Sequence, residues 1–111
     1  MLNWFRKKRT SLASAESNWP FDQAPNCAAI TLRSIVFDGQ PILHITHDSD
    51  DHSWQFLGLA DADPDNAAVV SMQEIVALDP SVTAVADMPP GWHAWRESVG
   101  SPWQRAPQEG G

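Results

Sequence analysis

Between Ala28 and Arg33 the side chains alternate, with Ala28, Ile30 and Leu32 on one side and Ala29, Thr31 and Arg33 on the other. A period of two is the pattern of a half-buried strand, because successive side chains point to opposite faces. Ile35, Val36 and Phe37 extend this strand or begin a short second one. Asp38-Gly39-Gln40-Pro41 then marks a turn: Gly39 can take positive φ, and Pro41 has no N–H to give a sheet ladder. Ile42 to Thr46 alternates again, His47 to Ser53 is polar, and Trp54 to Leu59 is apolar. Three strands with two short connections predict an antiparallel meander.

The second half changes character. Asp61 to Asn66 reads as a loop, and Ala67 to Val70 as a short strand. Ser71 followed three residues later by Glu74 is a capping box, predicting a helix over Ile75, Val76 and Leu78. Asp79-Pro80 is a second helical start, with proline at the first position and Val82 and Val85 facing inward. Pro89-Pro90-Gly91 ends that segment. Trp92 to Ser98 reads as a strand, Gly100-Ser101-Pro102 as a turn, and Trp103 to Arg105 as a last strand. The expected fold is α+β: a small antiparallel sheet of about five strands, built as a meander, one or two short helices and a C-terminal strand pair. The expected domain spans 21–106, flanked by a flexible basic tail at 1–20 and a short tail at 107–111.

Charge bears on function. The chain has 111 residues and a formal net charge of −7. Arg6, Lys7, Lys8 and Arg9 hold four of its seven basic groups. From Thr10 onward three arginines face all fourteen carboxylates, so that stretch stands at −11. Phosphate repulsion makes such a body a poor direct binder of nucleic acid. No apolar run approaches the roughly 20 residues of a membrane span. Thr10 to Ser17 is too polar for the apolar segment of a secretion signal. Cys27 is the single cysteine, so no internal disulfide framework exists. A cytoplasmic location is expected.

Several constellations invite a chemical reading. His44, His47, Asp48, Asp50, Asp51 and His52 have the residue types of a zinc or iron site. On a strand, however, His44 and His47 point to opposite faces, and the remaining groups sit in a polar hairpin. Asp61, Asp63 and Asp65 resemble the opening of a calcium loop. That loop requires glycine at its sixth position and glutamate at its twelfth, where this chain has Asn66 and Met72. Cys27 heads an apolar strand, where a thiol is usually packing. No Gly-x-Ser-x-Gly elbow and no phosphate-binding glycine loop is present. The residues thus predict neither an enzyme nor a cofactor. A His/Asp metal-dependent enzyme remains as an alternative, and so does a housekeeping or regulatory protein-binding role.

Two features point to binding instead. Tryptophan fills small cores and is also enriched at interface hot spots. Trp92 and Trp95 differ by three, so on a strand at most one faces the core, and Trp92 is a candidate contact residue. Asp48, Asp50, Asp51, Asp61, Asp63 and Asp65 place six carboxylates in eighteen residues with no basic residue between them. If the second and third strands pair, the two acidic loops are expected near one another, as a surface that steers a basic protein partner. Solubility alone would also use such charge.

The series Cys27-Ala-Ala-Ile-Thr31, Asp51-His-Ser-Trp-Gln-Phe-Leu57, Val70-Ser-Met-Gln-Glu-Ile75, Asp79-Pro-Ser81, Ala86-Asp-Met-Pro89, Gly91-Trp92, Ala94-Trp-Arg96 and Trp103 resembles the DUF2185 family, also called immunity protein Imm33. The resemblance implies a small bacterial α+β domain that binds a protein, of a kind proposed to neutralise toxins of polymorphic toxin systems. It brings no catalytic residues. An acidic immunity protein would suit a basic, nuclease-type toxin, since its carboxylates can stand in for phosphates.

Overall fold

The structure, a computed structural model, describes residues 19–60 and 63–108. The basic run, Asp61 and the last three residues lie outside the described residues. The fold is α+β, a six-stranded sheet with a few short helices. In chain order the elements are β1 (Ala28–Leu32), α1 (Arg33–Asp38), β2 (His44–His47), β3 (Trp54–Leu57), a 3-10 turn (Pro64–Asn66), β4 (Ala67–Ser71), α2 (Met72–Leu78), a longer 3-10 segment (Pro80–Val85), β5 (Trp92–Trp95) and β6 (Gln104–Pro107). Strand order across the sheet is β4-β1-β3-β2-β5-β6.

The sheet is mixed rather than antiparallel throughout. β2 and β3 form the expected hairpin, with Ile45 opposite Phe56, but β1 lies parallel to β3 on its far side. The cause is α1. Ile35, Val36 and Phe37 do not continue a strand; they form a short helix that carries the chain from the end of β1 towards β2. Gly39, at φ 74°, closes this helix in the left-handed conformation, its N–H donating to Ser34 O. Glycine in that conformation serves a helix end as readily as a hairpin, which is why Asp38-Gly39 suited both.

One face of the sheet carries the core. Ala29, Thr31, Phe56, Trp54, Ile45 and Ala94 are buried there, together with Ile35 of α1, Met72 and Ile75 of α2, and Val82 and Val85. α2 begins where expected, with both hydrogen bonds of the Ser71–Glu74 capping box formed. Pro80 opens the next segment with Asp79 as its cap. The other face carries Val69, Ile30, Gln55, Thr46, His44, His93 and Trp95, none of them buried. β1 is therefore only partly inverted relative to its apparent amphipathicity: Ala29 and Thr31 are inside and Ile30 is outside, while Leu32 at its end is buried too. Thr31 loses nothing by burial, because its hydroxyl donates to Phe56 O at 2.7 Å.

The domain boundaries move slightly. Trp19 packs against the core and donates from Nε1 to Gln23 O at 2.6 Å, so the ordered unit begins before Phe21. At the other end β6 runs through Pro107, and Gln108 donates to Gly91 O and Trp92 O.

Candidate functional site

The β2–β3 hairpin builds an acidic end on the molecule. Asp48 N donates to Ser53 O at 2.8 Å, closing a loop of residues 48–53. Within it Asp48 accepts from Asp50 N at 2.7 Å, and Asp51 accepts from Ser53 N at 2.9 Å. Each is an Asx-type bond that shapes the turn and uses one carboxylate oxygen. His52 takes φ 61° between them. The Ser53 backbone N–H, and then its hydroxyl, hold the Asp51 carboxyl below the ordinary carboxylate range. Asp50 and Asp51 are exposed, and Asp48 is half-buried.

Trp92 stands beside this hairpin. It starts β5 opposite His47, and Gly91 N just before it donates to His47 O at 2.7 Å. Trp92 is half-buried and packs partly against the core. The ladder thus sets Trp92 opposite His47, the residue that leads into the loop of Asp48, Asp50 and Asp51.

It does not bring in the second acidic loop. That loop follows Leu57, at the opposite end of β3 from the hairpin. The expected merging of the two loops fails because they are joined to opposite ends of the same strand. Four residues at about 3.3 Å each keep them roughly 10 Å or more apart. Asp63 caps the 3-10 turn by accepting from Asp65 N, and Asn66 is tied to Ser34 of α1 by two hydrogen bonds. Asp63 and Asp65 are exposed there, and Asp61 lies outside the described residues.

Beneath the hairpin is a polar clasp that sequence reasoning missed. His47 is buried, with its ring stacked on Trp54 at 4.0 Å between centroids and its Nδ1 2.8 Å from Met88 O. Asp22 reaches in from the N-terminal segment. Its Oδ1 accepts from Trp54 Nε1 at 2.9 Å, and its Oδ2 lies 3.2 Å from His47 Nε2. That second approach makes no hydrogen bond. Nothing in the spacing of Trp19-Pro-Phe-Asp22 announces this, since the partners are more than twenty residues away.

The described arginines lie elsewhere. Arg33 opens α1, at the far end of β1. Arg96 is buried against Asp79 at 2.6 Å, and Arg105 meets Asp87 at 2.9 Å. The Arg105 guanidinium, by hydrogen bond and by charge, holds the Asp87 carboxyl below the ordinary range. Among the described residues no ion pair with arginine offsets Asp48, Asp50 or Asp51.

His44 and His47 do point to opposite faces. His47 joins the clasp, while His44 meets His93 on the uncovered face, Nε2 to Nδ1 at 3.0 Å. Among the described residues no three His, Cys, Asp or Glu side chains converge on one point. Burial, and then the nearby His93, hold His44 below the ordinary histidine range of 6.5. The folded state therefore binds fewer protons here than the unfolded chain between those two values. The stability from this group is whole above about pH 6.5 and is lost as pH falls towards the lowered value. Urea titrations at about pH 7 and about pH 5.5 are expected to show a smaller acid loss for His44→Gln than for the parent chain. An equal loss in both would exclude His44 as the source.

Comparison of the chain with protein-family models, with curated proteins and with solved structures gave no match. Among the described residues no helix is long and apolar enough to cross a membrane.

Proposed function

We propose that this domain is a protein-binding module that receives a basic partner at its hairpin end. One observation carries the reading: Asp48, Asp50 and Asp51 are gathered in one short loop, two of them fastened by bonds within it, with no described arginine pairing with them. Charge that is fixed and uncompensated steers a basic partner and sets its orientation. Trp92 supplies adjacent apolar surface. Asp63 and Asp65, at the other end of β3, stand outside this patch.

The resemblance to the DUF2185 immunity family supports a more specific form: a cytoplasmic bacterial protein that neutralises a basic, nuclease-type toxin by covering its active site. Binding rather than catalysis is the reading on which both lines agree.

The test is co-expression with the product of the neighbouring gene, followed by affinity measurement at two salt concentrations. Replacing Asp48, Asp50 and Asp51 together by asparagine is expected to weaken binding by about tenfold or more, chiefly through the association rate, and to flatten its salt dependence. Asparagine at Asp63 and Asp65 is expected to change affinity less than about twofold. Unaltered binding by the triple variant, or no association with that product, would overturn the reading.

A further inference from the structure

The uncovered face of the sheet differs from the rest of the molecule in charge. From Thr10 onward the chain carries fourteen carboxylates and three arginines. Among the described residues, however, no strand presents Asp, Glu, Lys or Arg on this face. Towards its β6 side lies a shallow concavity lined by His44, Thr46, His93, Trp95, Pro107 and Gln108. His44 and His93 are joined there, Nε2 to Nδ1 at 3.0 Å.

We propose that this concavity binds a neutral oligosaccharide. The hydrogen bond between the two histidines fixes what they offer. When both rings are uncharged each has one N–H, and one of the two protons lies between the rings. If His44 donates it, His44 Nδ1 is left as an acceptor and His93 Nε2 as a donor. If His93 donates it, the roles exchange. Either way the pair presents one donor and one acceptor outward. That suits hydroxyl groups, each of which both donates and accepts. The uncharged form is the one that burial and His93 favour at His44. Neither outward nitrogen has a partner among the described residues, and neither is enclosed.

Three other classes of ligand fit less well. A charged one finds no opposite charge on this face. A wholly apolar one would cover the outward nitrogens and leave them without partners. A peptide strand needs a free sheet edge, and β2 and β5 are each paired on both sides. A sugar ring combines hydroxyls at its rim with an apolar C–H face. Trp95 and Pro107 offer that face an apolar surface in the same concavity. The paired strands beneath hold the two histidines in place, and His93 also rests on Trp95, ring centroids 5.1 Å apart.

The experiment is an NMR titration of the full chain near neutral pH with three neutral hexasaccharides, cellohexaose, maltohexaose and chitohexaose. At least one is expected to shift the Trp95 indole and the His44 and His93 imidazole signals, with Kd below about 1 mM. Trp95→Ala is expected to weaken that binding at least about tenfold. Asparagine at Asp48, Asp50 and Asp51 is expected to leave it within about twofold, so this site and the acidic hairpin stand or fall separately. Absence of binding by all three below about 10 mM, or binding that Trp95→Ala leaves unchanged, overturns the proposal. So does tighter binding of a hexagalacturonate, or of an uncharged hexapeptide, at the same signals. Should the alanine variant fail to fold, the unaltered chain decides: shifts centred away from β2 and β5 overturn the site.

Discussion

Replacing Arg96 by methionine is expected to destabilise the fold by about 3–5 kcal/mol, the usual cost of removing one partner from a buried pair. Arg96 is 2% exposed. Its Nε and Nη2 donate to Ile42 O at 3.1 and 2.9 Å, Nη2 also donates to Asp79 at 2.6 Å, and Nη1 donates to Ser81 Oγ at 3.0 Å. Its guanidinium lies over Trp103 at 4.3 Å. One side chain thus joins the connection leading into β2, the cap of the 3-10 segment and the last aromatic before β6. Methionine fills much of the space and satisfies none of these acceptors, leaving the Ile42 carbonyl and Asp79 Oδ2 without their arginine donors. For a domain of this size each kcal/mol lowers Tm by about 4–8 °C, so the expected fall exceeds about 12 °C. Arg96→Lys should recover part of it, because lysine keeps the charge and loses the fork. Thermal and urea unfolding read the result, and a loss below about 1 kcal/mol would show that the network contributes little.

Trp54→Ala is expected to cost a similar amount, about 3–5 kcal/mol. Trp54 is fully buried. Its ring stacks on His47 at 4.0 Å and meets the edge of Phe21 at 5.0 Å, and its Nε1 is one of the bonds holding Asp22. The substitution opens a cavity where the N-terminal segment docks and frees that segment at once. Trp54→Phe separates the two effects. It keeps an aromatic filler and loses the bond to Asp22, so about 1–2 kcal/mol is expected. The measurement is urea unfolding of both variants, with limited proteolysis around Pro20 reporting release of the segment. A Phe variant as unstable as the Ala variant would place the whole effect in the hydrogen bond.

What was legible in the sequence was mainly local. The Ser71–Glu74 capping box, Pro80 at a helical start, and the inward Val82 and Val85 depend on residues a few positions apart, and each stands where expected. So does the opposition of His44 and His47, which follows from strand geometry alone. The failures share a different cause. Ala28 to Leu32 is apolar or small on both sides, so its period gives the strand and not the buried face; Thr31 can lie inside because its hydroxyl is satisfied by Phe56 O. Gly39 ends a helix as well as it would have closed a hairpin, and that one ambiguity changed β1 from a meander strand into a parallel neighbour of β3. Of the six aspartates, the five described ones do not form one group, since their grouping depends on which end of β3 each loop leaves. Asp22, His93 and Arg96 carried no local signal at all, because the groups that give them a role come from distant parts of the chain.

The strand order β4-β1-β3-β2-β5-β6 has a consequence in time. β2 lies inside the sheet, yet only one of its flanks is filled by a near neighbour in the chain. The other is filled by β5, whose residues pair with β2 across 45 to 51 positions, from His47–Trp92 to His44–Trp95. A ribosome therefore delivers four strands and both α-helices before the strand that completes the middle of the sheet. Until then Ile45 lacks Ala94 opposite it, and Arg96 has not arrived to satisfy the Ile42 carbonyl. The entropy of closing that long loop must be met before the contacts that reward it exist. β5 thus completes the middle of the sheet only after the four strands that precede it in the chain have been made.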